Sequence, residues 1–166
     1  MRPSELADRL RGRFPDVLLA RDEVTLFVEA TDLPGTLAAL RDDDDLALGF
    51  LSGVTATHHP GRVPEFWVVY DLRSVEHAHR LRVKVGVGGP EPHVPSLVAA
   101  FPTANWHERE TFDLFGVVFD GHPDLDRILL PDDWEGHPLR KDEELGGVGT
   151  RFRGASIPPV DERTMP

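Results

Sequence analysis

Glu108, Arg109, Glu110 and Asp113 crowd into the run WHERETFDLFG together with Trp106, Phe112, Leu114 and Phe115. Carboxylates and a guanidinium at such spacing can exchange protons, hold an ion, or grip a polar partner through charge-assisted hydrogen bonds. As a helix the run completes little more than two turns, so its charges cannot all lie on a clean solvent face opposite the apolar side chains. Some of them must be paired or bound. The ordinary alternative is an exposed helix whose four-residue ion pairs are worth only a few tenths of a kcal/mol each.

The charge pattern continues downstream, where Arg127, Arg140 and Lys141 sit among Asp126, Asp132, Asp133, Glu135 and Asp142. Arg140 is the expected anchor, because its planar fork can bind a carboxylate bidentately in a desolvated seam, and Pro138 limits the backbone entropy lost on docking. From Glu108 to Asp142 the chain sets Gly, Pro, His and alternating charges around single large apolar residues, Phe112, Phe115, Phe119 and Trp134. Such a composition cannot form its own core and is too aromatic for a solvated linker. It is expected to be held by a surface outside itself.

Other constellations carry less. His77 and His79 would share a strand face but lack a third ligand, and His58, His59, His93, His107, His122 and His137 add no metal-binding spacing; His107-Glu108 lacks the second histidine of a zinc-protease helix. Asp42 to Asp45 has neither the spaced oxygens nor the glycine of a calcium loop and reads as a solvated helix end. Gly86-Val87-Gly88-Gly89 and Gly146-Gly147-Val148-Gly149 lack a following Lys-Ser/Thr and read as turns or hinges. Ser52, Ser74, Ser96 and Ser156 have no nucleophile elbow around them. A stand-alone acid-base hydrolase using Asp113, Asp132 or His137 is the competing reading from another class.

At 166 residues and 40% hydrophobic, the chain can bury one sizeable core. It contains no cysteine, so any iron-sulfur cluster or cysteine-ligated zinc must belong to another chain. A formal net charge of -11 argues against nucleic acid and for a cationic or mixed protein partner. With no signal-peptide core and no apolar run of membrane-spanning length, a cytoplasmic protein that meets a membrane only through a partner is expected.

The elements that must position these residues are legible in outline. Ser4 can cap a helix through about Arg13, with Leu6 and Leu10 on one face. Val17 to Ala20 and Val24 to Ala30 read as a hairpin turning at Arg21-Asp22-Glu23, and Asp32 caps a second helix that buries Leu37 and Leu40. Strands follow at roughly 47–58, 65–72 and 80–87, then a short helix at Ser96 to Ala100 and another from about Trp106 to Phe115, opened by Asn105 and closed by Gly116. The order predicts an α+β fold, a two-layer domain with an antiparallel or mixed sheet packed on helices, followed by an extended C-terminal tail; parallel α/β winding is not expected. The division is a platform over 1–119 and a partner-docking tail over 120–166.

ERETFDLFG, then GHP, then DRILLPDDWEGHPLRKD resembles the signature of the 30 kDa subunit family, the C subunits of the proton-pumping NADH-quinone oxidoreductase, respiratory complex I. The preceding α+β pattern and the later Gly-Ala-Ser-Ile-Pro-Pro extend the resemblance over most of the chain. Glu143 and Glu144 depart from it, standing where the family more often has an aromatic residue and a proline. The resemblance implies a non-catalytic structural subunit of the hydrophilic arm, on the cytoplasmic side of the cell membrane. Its implied partners are subunits D, B and I, the first of which carries the quinone site, in an obligate hetero-oligomer. No cofactor is implied in this chain; FMN, iron-sulfur clusters and quinone belong to the assembled complex, which couples electron transfer from NADH to proton translocation. Carried over by motif, the interfacial residues are Glu108, Arg109, Glu110, Asp113, Phe115 and Gly116 in the helix. In the tail they are Gly121, His122, Pro123, Arg127, Pro131, Asp132, Gly136, His137, Pro138, Arg140, Lys141 and Asp142. The runner-up is the equivalent subunit of a membrane-bound energy-conserving hydrogenase.

Overall fold

The computed structural model describes residues 1–143. Glu144, the glycine run 146–149, Ser156 and the Gly-Ala-Ser-Ile-Pro-Pro stretch lie outside the described residues. Helix α1 (Pro3–Arg11) begins one residue before Ser4, because Arg2 and Glu5 cap it: the Arg2 N–H donates to Glu5 Oε2 at 3.1 Å. It ends at Gly12 rather than reaching Arg13, with Leu6 and Leu10 buried as their spacing requires.

Strands β1 (Val17–Ala20) and β2 (Glu23–Val28) form the expected antiparallel hairpin. Its two-residue turn places Arg21 and Asp22 at φ 51° and 59°, the positive values that match a primed turn to strand twist. A 3-10 turn, Ala30–Asp32, leads into α2 (Leu33–Asp42), which buries Leu33, Leu37 and Leu40. Asp32 makes no side-chain cap there. The acidic run after α2 is more than a solvated end: Asp43 accepts the N–H groups of Asp45 and Leu46 and pairs with Arg13, while Asp45 pairs with Arg9 of α1. These bonds let Leu46 and Leu48 enter the core before β3 begins.

Strands β3 (Phe50–His58), β4 (Phe66–Ser74) and β5 (His79–Val87) complete a five-stranded sheet in the order β1-β2-β5-β4-β3. Only β2 and β5 run parallel, so the sheet is mixed. Alternation decides its faces: Leu26, Val83, Tyr70 and Val54 align across four strands toward the core, while Phe27, Lys84, Val69 and Thr55 align on the other side. The core face joins the buried leucines of α1 and α2 in a single cluster, giving a two-layer α+β fold.

The segment Ser96 to Ala100 is not the expected helix. It makes one turn, closed by the Phe101 N–H on Leu97 O at 2.8 Å, because Pro95 and Pro102 leave too few residues to offset helix nucleation. Just before it lies β6 (His93–Pro95), which pairs in parallel with β7 (Val118–Asp120). Between them runs α3 (Ala104–Phe115), so a small parallel unit does occur, bracketing the charged helix. β7 spans the boundary drawn at 119/120.

Leu72 is fully buried on β4, paired with Leu51 and Leu81. Leu72→Ala is expected to lower the unfolding free energy by about 2–5 kcal/mol in equilibrium urea denaturation, with an unchanged denaturant slope.

Candidate functional site

Helix α3 ends where Gly116 enters the left-handed region at φ 69° and returns its N–H to Phe112 O at 2.8 Å. A side chain is excluded there twice over. A Cβ on Gly116 would stand 2.5 Å from Arg140 Nη2 and from the His137 ring, and the positive φ itself disfavours an L residue.

A helix end leaves its last carbonyls without intrahelical partners. In this chain the segment after β7 returns to supply them. His137 Nδ1–H donates to Asp113 O at 2.9 Å, the Leu139 N–H to Leu114 O at 3.1 Å, and Arg140 Nε to Phe115 O at 2.6 Å. Arg140 also reaches Gly116 O at 3.3 Å and Pro90 O at 3.1 Å, with its guanidinium 5.3 Å above the Phe66 ring. A cation at the negative end of a helix is favourably placed. Arg140 therefore caps its own chain, where a partner carboxylate was expected; three carbonyls already occupy its donor fork.

The acidic residues of α3 do similar work. Asp113 is wholly buried, and its Oδ2 accepts the backbone N–H groups of Ile128, Leu129 and Leu130 at 3.1, 2.8 and 3.0 Å. Its Oδ1 takes Arg127 Nη1 at 3.0 Å, and Arg127 Nη2 continues to Gly136 O at 3.2 Å. Burial alone would raise the Asp113 pKa; the three N–H donors and Arg127 outweigh it and hold the carboxyl below its ordinary value. Glu108, also wholly buried, is left with fewer donors: Ser96 Oγ–H and the Leu97 N–H, each at 2.7 Å. Burial therefore dominates over those two bonds and pushes its pKa up to about 7.

The remaining predicted residues divide into two sets. Gly121 turns the chain at φ 82°, seating the His122 ring so that Nδ1 accepts the Asp124 N–H at 3.0 Å while Nε2–H faces Asn105 O at 3.3 Å. Arg109 lies over Trp106 at 5.4 Å and donates from Nε to Asp126 O at 3.1 Å. Phe115 is in the core. The Lys141 N–H donates to Nδ1 of the buried His58 at 3.0 Å, and Asp142 Oδ1 lies 3.5 Å from the same nitrogen. By contrast Glu110, Pro123, Pro131, Asp132 and Pro138 are exposed.

The stretch 108–142 is thus held chiefly by its own domain, contrary to the expectation that it needs an outside surface. Composition hid this because the holding bonds go to backbone groups of residues distant in sequence. His58 and Ser96 were missed as parts of the arrangement, because what they bond, the Lys141 N–H and the Glu108 carboxyl, lies 83 and 12 residues away in sequence. Asp113 cannot supply the general base of a hydrolase, since four donors occupy its oxygens. Among the described residues no three or more His, Asp or Glu side chains come together to hold a metal, and the sequence contains no cysteine thiolate for a cluster.

The fold and site define a two-layer α+β domain closed by a polar strap, and chains of solved respiratory proteins share its architecture. One is a trypsin-resistant fragment of Nqo5, 26% identical with a TM-score of 0.65, matched over 75% of this chain and 100% of that one. Another belongs to the membrane-bound sulfane sulfur reductase, an archaeal respiratory membrane complex, at 23% identity and a TM-score of 0.74 over 86% and 85% of the two chains; this second likeness is one of fold. Residues 26–148 match the family described as respiratory-chain NADH dehydrogenase, 30 Kd subunit, and the chain belongs to that family.

Curated relatives, named as C subunits of NADH-quinone oxidoreductase, include that of Mycolicibacterium smegmatis, 49% identical over 89% of this chain and 62% of the relative. The Mycobacterium tuberculosis relative is 50% identical over 89% and 63%, and that of a Nocardioides species 47% over 90% and 60%. The chain spans about three-fifths of the length of these relatives.

Asp113→Asn would turn an amide donor toward at least one of the N–H groups now bound, and should destabilise the fold by about 2–4 kcal/mol in chemical denaturation at pH 7. Glu108 should show the opposite pH behaviour to Asp113. Its folded pKa of about 7 stands above the ordinary 4.5, so the native state binds more protons and stability declines as pH rises from about 4.5 to 7, by on the order of 3 kcal/mol. Glu108→Gln should flatten that decline, read as the difference in unfolding free energy between pH 5 and pH 8.

Proposed function

We propose that this chain is a structural subunit of the hydrophilic arm of NADH-quinone oxidoreductase, contributing shape and contacts rather than chemistry of its own. The assembled enzyme passes electrons from NADH through FMN and iron-sulfur clusters to quinone and couples this to proton translocation. In this reading those groups lie in neighbouring chains, and the absence of cysteine accords with it. The partners are subunits D, B and I, with the quinone site in the first, on the cytoplasmic side of the membrane. Among the described residues no helix is long and apolar enough to cross a membrane, so attachment would run through those partners.

The observation that carries the proposal is the division of labour among the signature residues. Asp113, Gly116, Arg127, His137 and Arg140 are spent on sealing α3. Left outward in the same stretch of chain are Leu129, Leu139 and Trp106 at 59%, 41% and 63% exposure, together with the exposed Glu110, Asp132, Lys141 and Asp142. Exposed large apolar groups among charged ones accord with a protein interface. The platform over 1–119 would set the position of this surface, and the tail over 120–166 would extend it along the partners. Identity near 50% to C subunits of NADH-quinone oxidoreductases favours this assembly over a hydrogenase-type relative.

Affinity purification of the tagged chain from its own cells, with the bound chains identified by mass spectrometry, tests the reading. Flavin- and cluster-bearing NADH dehydrogenase subunits should co-purify; a nickel-binding large subunit in their place would favour the hydrogenase alternative. Leu129→Glu with Leu139→Glu should reduce recovery of the partners at least about tenfold, roughly 1.4 kcal/mol or more, without shifting thermal unfolding of the isolated chain.

A further inference from the structure

The sheet turns its core face to the helices, and the opposite face mixes charged residues such as Asp71, Arg82 and Lys84 with apolar ones such as Leu18, Phe50 and Val69, two aromatic rings coming together at one end. There Phe27 of β2 and Trp67 of β4 meet edge to face, ring centroids 5.4 Å apart, across Gly86 of β5. A Cβ at Gly86 would lie 2.6 Å from Pro64 Cγ and 3.3 Å from Trp67 Cζ3, so the bare glycine is what lets these rings close over the strand. Together with Phe14 and Val63 they bound an open groove of about 720 Å³, within the range of ligand-binding clefts. Val63 at its lip is wholly exposed.

The charged residues lining this groove are all acidic: Asp16, Glu29 and Asp32. Each is exposed, and none takes part in an ion pair among the described residues. Some acids elsewhere are matched, as Asp43 is by Arg13, Asp45 by Arg9 and Glu23 by Arg80 and Arg82, and others such as Asp22 and Glu76 are not. What distinguishes Asp16, Glu29 and Asp32 is that they line one groove with aromatic rings and with no cation among the described lining residues. Lys84, the Cα partner of Phe27, does not line the groove. Three unmatched carboxylates above an aromatic floor create a negative potential over a low-dielectric surface, which selects a cation carrying apolar bulk.

We infer that this groove docks an extended segment of another protein chain in which apolar side chains alternate with Lys or Arg. Apolar side chains would fill the floor between Phe27, Trp67 and Pro64, while the cations meet Asp16, Glu29 and Asp32 on the rim. The inference rests on this surface alone and stands or falls separately from the assembly proposed above.

The full chain, 15N-labelled, is titrated with a synthetic peptide of alternating Leu and Lys/Arg, and in parallel with its Leu/Glu counterpart. The cationic peptide should move the Trp67 indole and Gly86 amide resonances, and the acidic peptide should not. Asp16→Asn, Glu29→Gln and Asp32→Asn combined should weaken binding about tenfold and flatten its salt dependence, with folding checked by the unchanged remainder of the spectrum. Val63→Ser should weaken it by removing the apolar lip without changing the charge. Four results would overturn the inference: no response, equal response to both peptides, shifts confined to other acidic surfaces, or affinity indifferent to the rim substitutions. It would also fail if the groove resonances moved with protein concentration in the absence of peptide, which would make the occupant a second copy. Movement of the same resonances by Arg151→Glu with Arg153→Glu, again without peptide, would sink it too by assigning the groove to the chain's own end.

Discussion

The C-terminal end of α3 must have its carbonyls satisfied, and the organisation of residues 120–143 follows from how that is done. Asp113 O, Leu114 O, Phe115 O and Gly116 O are each met by a donor from residues 137–140. An unpaired buried carbonyl costs about as much as a lost hydrogen bond, so the returning segment and the helix end stabilise each other. Gly116 makes this geometry available, since only a residue without a side chain leaves room for Arg140 and His137 while turning the backbone at positive φ.

Asp113 performs the complementary task from inside the helix. A carboxylate with three backbone N–H donors and one guanidinium satisfies a stretch of chain that has no secondary structure of its own. In effect the side chain takes the place of a neighbouring strand for residues 128–130. Glu108, five residues earlier and facing a different neighbour, pins the segment entering α3 with only two donors. Stronger desolvation with two donors pushes Glu108 up to about 7, while weaker desolvation with three N–H donors and Arg127 holds Asp113 below its ordinary value. The domain thus combines a robust ionic lock with a proton-sensitive one.

This use of charge explains how an acidic chain with a punctuated C-terminal half can present an organised surface. The most strongly bonded signature residues face inward, and what they organise is the outward set around Trp106, Leu129 and Leu139. A second surface of different chemistry is the acid-rimmed aromatic groove at Phe27 and Trp67, one residue along β4 from the Phe66 ring that Arg140 covers. A protein whose proposed role is to position neighbours has need of more than one such face.

Periodicity alone determined the sheet and its helices. Strand alternation at Leu81, Val83 and Val85 and helical spacing at Leu37 and Leu40 report burial through local geometry, which is why those elements are where the sequence places them. The ordered signature from Glu108 to Asp142 likewise marked the family. Tertiary structure alone decided what the charges in that signature do. A carboxylate that accepts N–H groups 15 to 17 residues away, or an arginine that caps a helix 24 residues upstream, leaves no periodic trace. Its partners are backbone atoms, which every residue type supplies. The same limit hid the groove at Gly86, because close approach between distant segments is a property of the folded path and of no local run of residues; the single turn at Ser96, by contrast, follows from Pro95 and Pro102 and was written in the local sequence.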